Sequence, residues 1–169
     1  PVLIIGSPAR EKGLSLSESY HWLSNWIGTA TNKASTDQIV SLIGTGMSSD
    51  QLTLEADRAL KNCDVIIGAK RMLEMAEHYH KPTFCSYNYP AITDYMLSHP
   101  EYRHFAVLFS GDIGFYSGAV GLRRCLEGKP FKIESFSGIS SPIHFLNTIG
   151  KIWSDVHLIS CHGQTASII

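Results

Sequence analysis

Short apolar runs and stretches of helical period alternate along the chain. IVSLI (39–43), DVIIG (64–68), TFCSY (83–87), FAVLF (105–109), FKIESF (131–136) and VHLIS (156–160) read as strands. Between them, TLEADRALKNC (53–63), KRMLEMAEHY (70–79), AITDYMLS (91–98), GAVGLRRCL (118–126) and SPIHFLNTIG (141–150) read as helices. In the first of these helices Ala56, Ala59, Leu60 and Cys63 form the apolar side, Thr53 is placed as N-cap, and Glu55 falls in the first turn. Pro142 stands near the start of the last one. Ahead of this series, PVLII (1–5) reads as a strand and LSESYHWLSNWI (16–27) as an amphipathic helix with Leu16, Tyr20, Leu23 and Ile27 on one face. GTATNKASTDQ (28–38) has no apolar period and reads as a linker. The alternation predicts an α/β fold: a mostly parallel sheet with helices on both faces.

Composition narrows what such a fold is for. The chain has 169 residues, 44% hydrophobic and 17% charged, as expected of a soluble globular domain. Fourteen Lys and Arg against fifteen Asp and Glu give a net charge of -1, and no basic run is present. This argues against a nucleic-acid binder working through a basic face. No apolar stretch approaches the ~20 residues of a membrane span. The opening PVLIIGSPAREKG has no basic segment before its apolar run, so no signal-peptide pattern is expected. A start at Pro1, directly before a strand-like run, suggests a piece of a longer chain. The four cysteines, Cys63, Cys85, Cys125 and Cys161, are too far apart in sequence for a zinc or redox pair. Each lies in or beside an apolar run, so buried free thiols in a reducing, cytoplasmic compartment are expected.

Ligands of open parallel sheets bind outside the carboxyl ends of the strands. Three strand ends here carry glycine-containing loops: GTGMSSD (44–50), SGDIGFYSG (110–118) and SGISS (137–141). The first lacks the third glycine of a dinucleotide fingerprint, and no Gly-Lys-Ser/Thr phosphate loop occurs. Each loop alone reads equally as a plain turn, but three at strand ends predict one small-molecule crevice. Asp112 has two open readings, a cap for nearby N–H groups or a ligand contact. His78 and His80 sit two apart at a helix end and read as solvated rather than metal-binding. Tyr87, Tyr89 and Tyr95 read as packing or surface residues. No Gly-x-Ser-x-Gly elbow is present.

Five stretches together resemble the tetrapyrrole (corrin and porphyrin) methylase family: IVSLIGTGMSSDQLTLEADRAL (39–60), CDVIIGAKRMLEM (63–75), VLFSGDIGFYSG (107–118), SFSGISS (135–141) and VHLISCHG (156–163). The second is similar to the cobalt-precorrin-7 C5-methyltransferase branch, which is also the N-terminal half of precorrin-6Y C5,15-methyltransferases. The resemblance implies S-adenosylmethionine as methyl donor, a precorrin as acceptor, methylation at a ring carbon (C5) in cobalamin biosynthesis, and a homodimer as the assembly to look for. Carried over by position, donor contacts fall on Met47, Ser110, Gly111, Asp112, Phe115, Ser140 and Ser141. No catalytic side chain and no metal ligand is singled out. Met47-Ser48 stands where the family usually has Pro-Gly, and Ile113 and Ser137 replace family prolines. The implied organisation is a preceding segment and linker over 1–38, the N-terminal methylase domain over 39–150, and the start of a truncated second domain over 151–169. The pattern of 1–34 resembles the end of a precorrin-6A reductase, as in a fused upstream module. A same-fold methylase acting on ribosomal RNA or protein, and an inert half-domain, are the alternative readings.

Overall fold

A computed structural model describes residues 38–157. The strand expected at 1–5, the helix at 16–27, all but the last residue of the 28–38 linker, and most of the last strand at 156–160 lie outside the described residues. Of that last strand, Val156 and His157 are described; Val156 has extended backbone (φ -130°, ψ 135°), but neither residue pairs with the sheet.

Among the described residues five strands and five helices alternate. They are β1 (Ile39–Gly44), α1 (Leu54–Asn62), β2 (Val65–Gly68), α2 (Lys70–Met75) and β3 (Thr83–Cys85), then α3 (Tyr89–Ser98), β4 (His104–Phe109), α4 (Ala119–Leu126), β5 (Lys132–Phe136) and α5 (Ser141–Thr148). The sheet order is β3-β2-β4-β1-β5, and every pairing is parallel. The three central strands are nearly continuous apolar runs because both of their faces are covered. On one face Val40, Leu42, Val65, Ile67, Phe105 and Val107 pack with Ile92 and Met96 of α3 and Ala119, Leu122 and Leu126 of α4. On the other, Ile43, Ile66, Ala106 and Leu108 pack with Ala56, Ala59 and Leu60 of α1 and Met72 and Leu73 of α2. Each fully buried Val, Leu, Ile, Met or Phe side chain among these contributes about 1.5–3 kcal/mol. The one polar side chain facing out of the middle of β1, Ser41, is buried and hydrogen-bonds His104 Nε2 at 2.7 Å.

Local chemistry sets the element ends. Thr53 caps α1, its hydroxyl accepting from the Ala56 amide at 3.2 Å. Asn88 caps α3, accepting from the Ala91 amide at 3.0 Å, with Pro90 in the first turn, so α3 starts earlier than expected. The helix expected over 70–79 stops at Met75. The backbone breaks at Ala76 (φ -102°, ψ 4°), continues as a single 3₁₀ turn over Glu77–Tyr79, and turns away at His80, which has φ +52°. The break lets the Tyr79 hydroxyl donate to Asp57 Oδ1 at 2.8 Å, tying this turn to α1. Burial and the Asp57 carboxylate push the Tyr79 phenol up, while Lys61 and Tyr79 hold the Asp57 carboxyl down.

The expectation of uniformly buried thiols is corrected. Cys63 is buried and Cys125 half-buried, but Cys85 is exposed. β3 is a three-residue strand at the sheet edge whose alternate positions face out, and Cys85 is one of them. Cys161 lies outside the described residues. No helix among the described residues is long and apolar enough to cross a membrane.

Candidate functional site

The sheet order brings the three glycine loops together. They leave β4, β1 and β5, which are adjacent strands in parallel register, with Gly44 opposite Phe109 and Ile43 opposite Phe136. The loops meet main chain to main chain. Gly46 N donates to Gly111 O at 3.1 Å, and Gly111 N donates back to Gly46 O at 2.8 Å. Both residues have positive φ, +66° and +68°, which a side chain would strain. A Cβ on Gly44 would lie 2.7 Å from both Gly111 O and Gly138 N, and one on Gly138 would lie 2.6 Å from the Gly44 carbonyl. Gly44, Gly111 and Gly138 therefore form a junction of bare backbone.

Side chains lock this junction from its rim. Asp112 Oδ1 accepts from the Gly114 amide at 2.8 Å within its own loop, and Oδ2 accepts from the Gly138 amide at 3.0 Å in the next. Of its two open readings, the capping one is realised in this geometry. The buried Thr45 hydroxyl reaches Phe109 O at 3.2 Å, fixing the exit of β1 to that of β4. Gln51 Oε1 accepts from the Met47 amide at 3.0 Å, and its Nε2 donates to His144 Nδ1 at 3.2 Å. That side chain links the first loop to α5.

The residues singled out in sequence fall on this one end of the sheet. Gly111 is buried, and the space above its Cα is bounded by Ser140 Cα and Ser141 N, each 3.9 Å from a Cβ built there. Ser140 is the N-cap residue of α5, its carbonyl accepting from the His144 amide, and Ser141 is exposed on the first turn. Ser110 and Met47 are exposed on the rim. Phe115 is half-buried, its ring edge-on to Tyr116 at 4.9 Å between centroids. The available chemistry is polar main chain, two exposed serine hydroxyls, one carboxylate and one aromatic wall. Among the described residues no group of His, Cys, Asp or Glu is arranged to hold a metal ion. His78 and His80 are exposed, far along the chain from the loops, and Tyr95 stacks on Phe84 at 4.0 Å.

A second cleft, unforeseen from the sequence, opens between the ends of β2 and β4. Its volume is about 210 Å³, and Arg71, Ser86, Tyr87, Tyr89 and Ser110 line it above a floor that includes Met72 and Ile92. Tyr89 fits here because Gly118 and Gly121 present no Cβ to its ring. Arg71 Nη2 donates to Ser110 Oγ at 3.3 Å, so Ser110 is shared between the cleft and the three-loop crevice. In sequence, Arg71 is one charge among several on a helix. The strand order, which sets β2 beside β4, is what gives it a place.

Comparison with known proteins agrees with this fold. The model of the tetrapyrrole (corrin/porphyrin) methylases matches residues 40–168. A probable cobalt-precorrin-7 C(5)-methyltransferase from Methanocaldococcus jannaschii is 27% identical over 130 residues, covering 75% of this chain and 61% of the relative. The chain thus spans less than two thirds of that relative's length. The crystal structure of a cobalamin-biosynthesis precorrin-6Y methylase from Archaeoglobus fulgidus superposes with a TM-score of 0.60 at 23% identity, over 75% of this chain and 65% of that one. A uroporphyrin-III C-methyltransferase from Thermus thermophilus, solved with S-adenyl homocysteine, gives a TM-score of 0.51 at 22% identity, over 62% of this chain and 46% of that one. At these identities the solved structures establish the fold.

Proposed function

This chain belongs to the tetrapyrrole (corrin/porphyrin) methylase family, and we propose that it supplies the donor-binding half of an S-adenosylmethionine-dependent C-methyltransferase acting on C5 of a precorrin. The observation that carries this reading is the meeting of three loops around the bare-backbone junction of Gly44, Gly111 and Gly138. The C5 position follows the name of the archaeal relative and the CDVIIGAKRMLEM stretch over β2 and α2.

The residues present fit a small polar donor. Gly111 leaves open the space beside Ser140 and Ser141 that a side chain would fill. When bound, S-adenosylmethionine supplies a methyl group activated by its sulfonium. The part of this chain is to hold and orient. The Ser110, Ser140 and Ser141 hydroxyls and nearby main chain offer polar contacts, Phe115 and Met47 offer apolar ones, and the Asp112 carboxylate places negative charge where a cationic donor is favoured. A group fixed by its own loop hydrogen bonds need not reorganise. Holding donor and acceptor in attack geometry can supply up to ~7–11 kcal/mol of a transfer barrier.

Isothermal calorimetry with S-adenosylhomocysteine on the protein that carries this chain tests the reading. One-to-one binding is expected, together with its loss in Gly111→Trp, whose side chain fills the space beside Ser140. Equal affinity in wild type and Gly111→Trp removes the loop assignment.

A further inference from the structure

We propose that the cleft between the ends of β2 and β4 is an anion subsite, in which Arg71 binds one carboxylate-bearing arm of the acceptor. The inference rests on the reading that the acceptor is a tetrapyrrole, whose periphery carries acid side chains on methylene stems. Three properties of the cleft match such an arm. Its volume of about 210 Å³ lies below the ~300–1,000 Å³ of sites that enclose a whole ligand, so it suits a part of one. Its floor is apolar, with Met72 and Ile92, while its rim is polar, with Ser86, Tyr87 and Ser110. Among the described residues no acidic residue lines it.

Arg71 supplies the charge. It is exposed, and among the described residues its one side-chain hydrogen bond is to the Ser110 hydroxyl and it makes no ion pair. The planar guanidinium keeps further N–H donors free for a carboxylate. The tether to Ser110 sets that charge beside the β4 loop, on the opposite flank of the loop from β1 and β5. An arm held there would seat the macrocycle next to the crevice assigned to the donor. Arg71 is therefore a specificity-determining residue for acid-bearing acceptors.

The test is fluorescence titration of the protein that carries this chain with uroporphyrin III, an acid-rich macrocycle, beside a tetracationic porphyrin of similar size. Arg71→Gln is expected to weaken uroporphyrin binding about 10-fold or more, as loss of a charge-assisted hydrogen bond does. Arg71→Lys should retain part of the affinity, and the cationic porphyrin should not follow this order. Tyr87→Glu, at a position 84% exposed and so harmless to folding, should also weaken uroporphyrin binding by setting a like charge on the rim. Unchanged uroporphyrin affinity in Arg71→Gln and Tyr87→Glu overturns the subsite and leaves Arg71 a solvated tether. A wild-type protein that binds S-adenosylhomocysteine but no uroporphyrin overturns the subsite alone. One that binds neither removes the methylase reading and the subsite with it.

Discussion

Asp112 and Gly138 stand 26 residues apart in sequence, yet Oδ2 of the first accepts the amide hydrogen of the second at 3.0 Å. The same carboxylate holds Gly114 through Oδ1 at 2.8 Å, so one side chain sets the shape of two loops. Asp112→Ala strands the part-buried Gly138 amide and leaves the exposed Gly114 amide to water. It is expected to lower stability by about 1–3 kcal/mol and to weaken S-adenosylhomocysteine binding. Asp112→Asn keeps one acceptor oxygen and should fall between the two. Urea unfolding and calorimetry on the three proteins check this. Wild-type stability in Asp112→Ala means the loops hold their shape without it.

Gly138 and Gly128 make a matched pair. Gly128 has φ +70° and nothing within 4 Å of a built Cβ, so Gly128→Ala should cost only the backbone strain of about 1–2 kcal/mol and leave donor binding intact. Gly138→Ala drives a methyl into the Gly44 and Gly111 backbones, which cannot rotate away as a side chain would. Separation of the loops is expected, with destabilisation of about 1–3 kcal/mol and loss of donor binding. Thermal unfolding with and without S-adenosylhomocysteine distinguishes the two, since a bound ligand raises the midpoint by mass action.

The cap on α1 follows the first loop in the chain but stands outside the glycine junction, and serves as a stability site. Thr53→Ala removes the hydroxyl that accepts the Ala56 amide and should cost about 1 kcal/mol, with donor affinity unchanged. Chemical denaturation measures the first and calorimetry the second.

Thiol chemistry should sort by position. Cys85 is expected to react with an aromatic disulfide reagent in the native protein, Cys125 more slowly, and Cys63 only on unfolding. Burial pushes the Cys63 thiol up to about 11. In the unfolded chain it ionises near its ordinary value of ~8.5. The native state then binds the more protons between these values, so the contribution of Cys63 to stability is whole below pH ~8.5 and is lost as pH rises toward 11. Tyr79, also raised, adds to the loss at the upper end of that range. Unfolding free energy followed from pH 8 to 11 should fall, and fall less steeply in Cys63→Ala.

Most of the layer architecture was legible because its signals are local. The apolar runs that become β1, β2 and β4 are each short and bounded by glycine or polar residues, and Thr53 announces α1 by itself. What escaped reading depends on distant partners. KRMLEMAEHY has the period of one helix throughout, and nothing within it marks the break after Met75 that brings Tyr79 to Asp57 in another element. TFCSY carries no mark of being an edge strand, so the exposure of Cys85 could not be foreseen. The three loops were visible as glycine clusters, and their convergence follows from the β4-β1-β5 adjacency. Arg71 gave no signal, since nothing in a sequence window tells which strand will lie next to β2.

The glycine junction bears on how such a site changes over time. Its form is written in the main chain, and Met47, Ser48, Ile113 and Ser137 lie around it rather than in it. Side chains on the rim are thus free to drift while the floor keeps its contour. Under the proposed subsite, a new preference for the acceptor needs only a few exchanges at exposed places such as Arg71 and Tyr87, with no redesign of the scaffold beneath. The same bareness makes the floor itself intolerant, for the smallest addition at Gly138 collides with backbone from another loop. Variation and constancy are therefore partitioned by a few ångströms of depth.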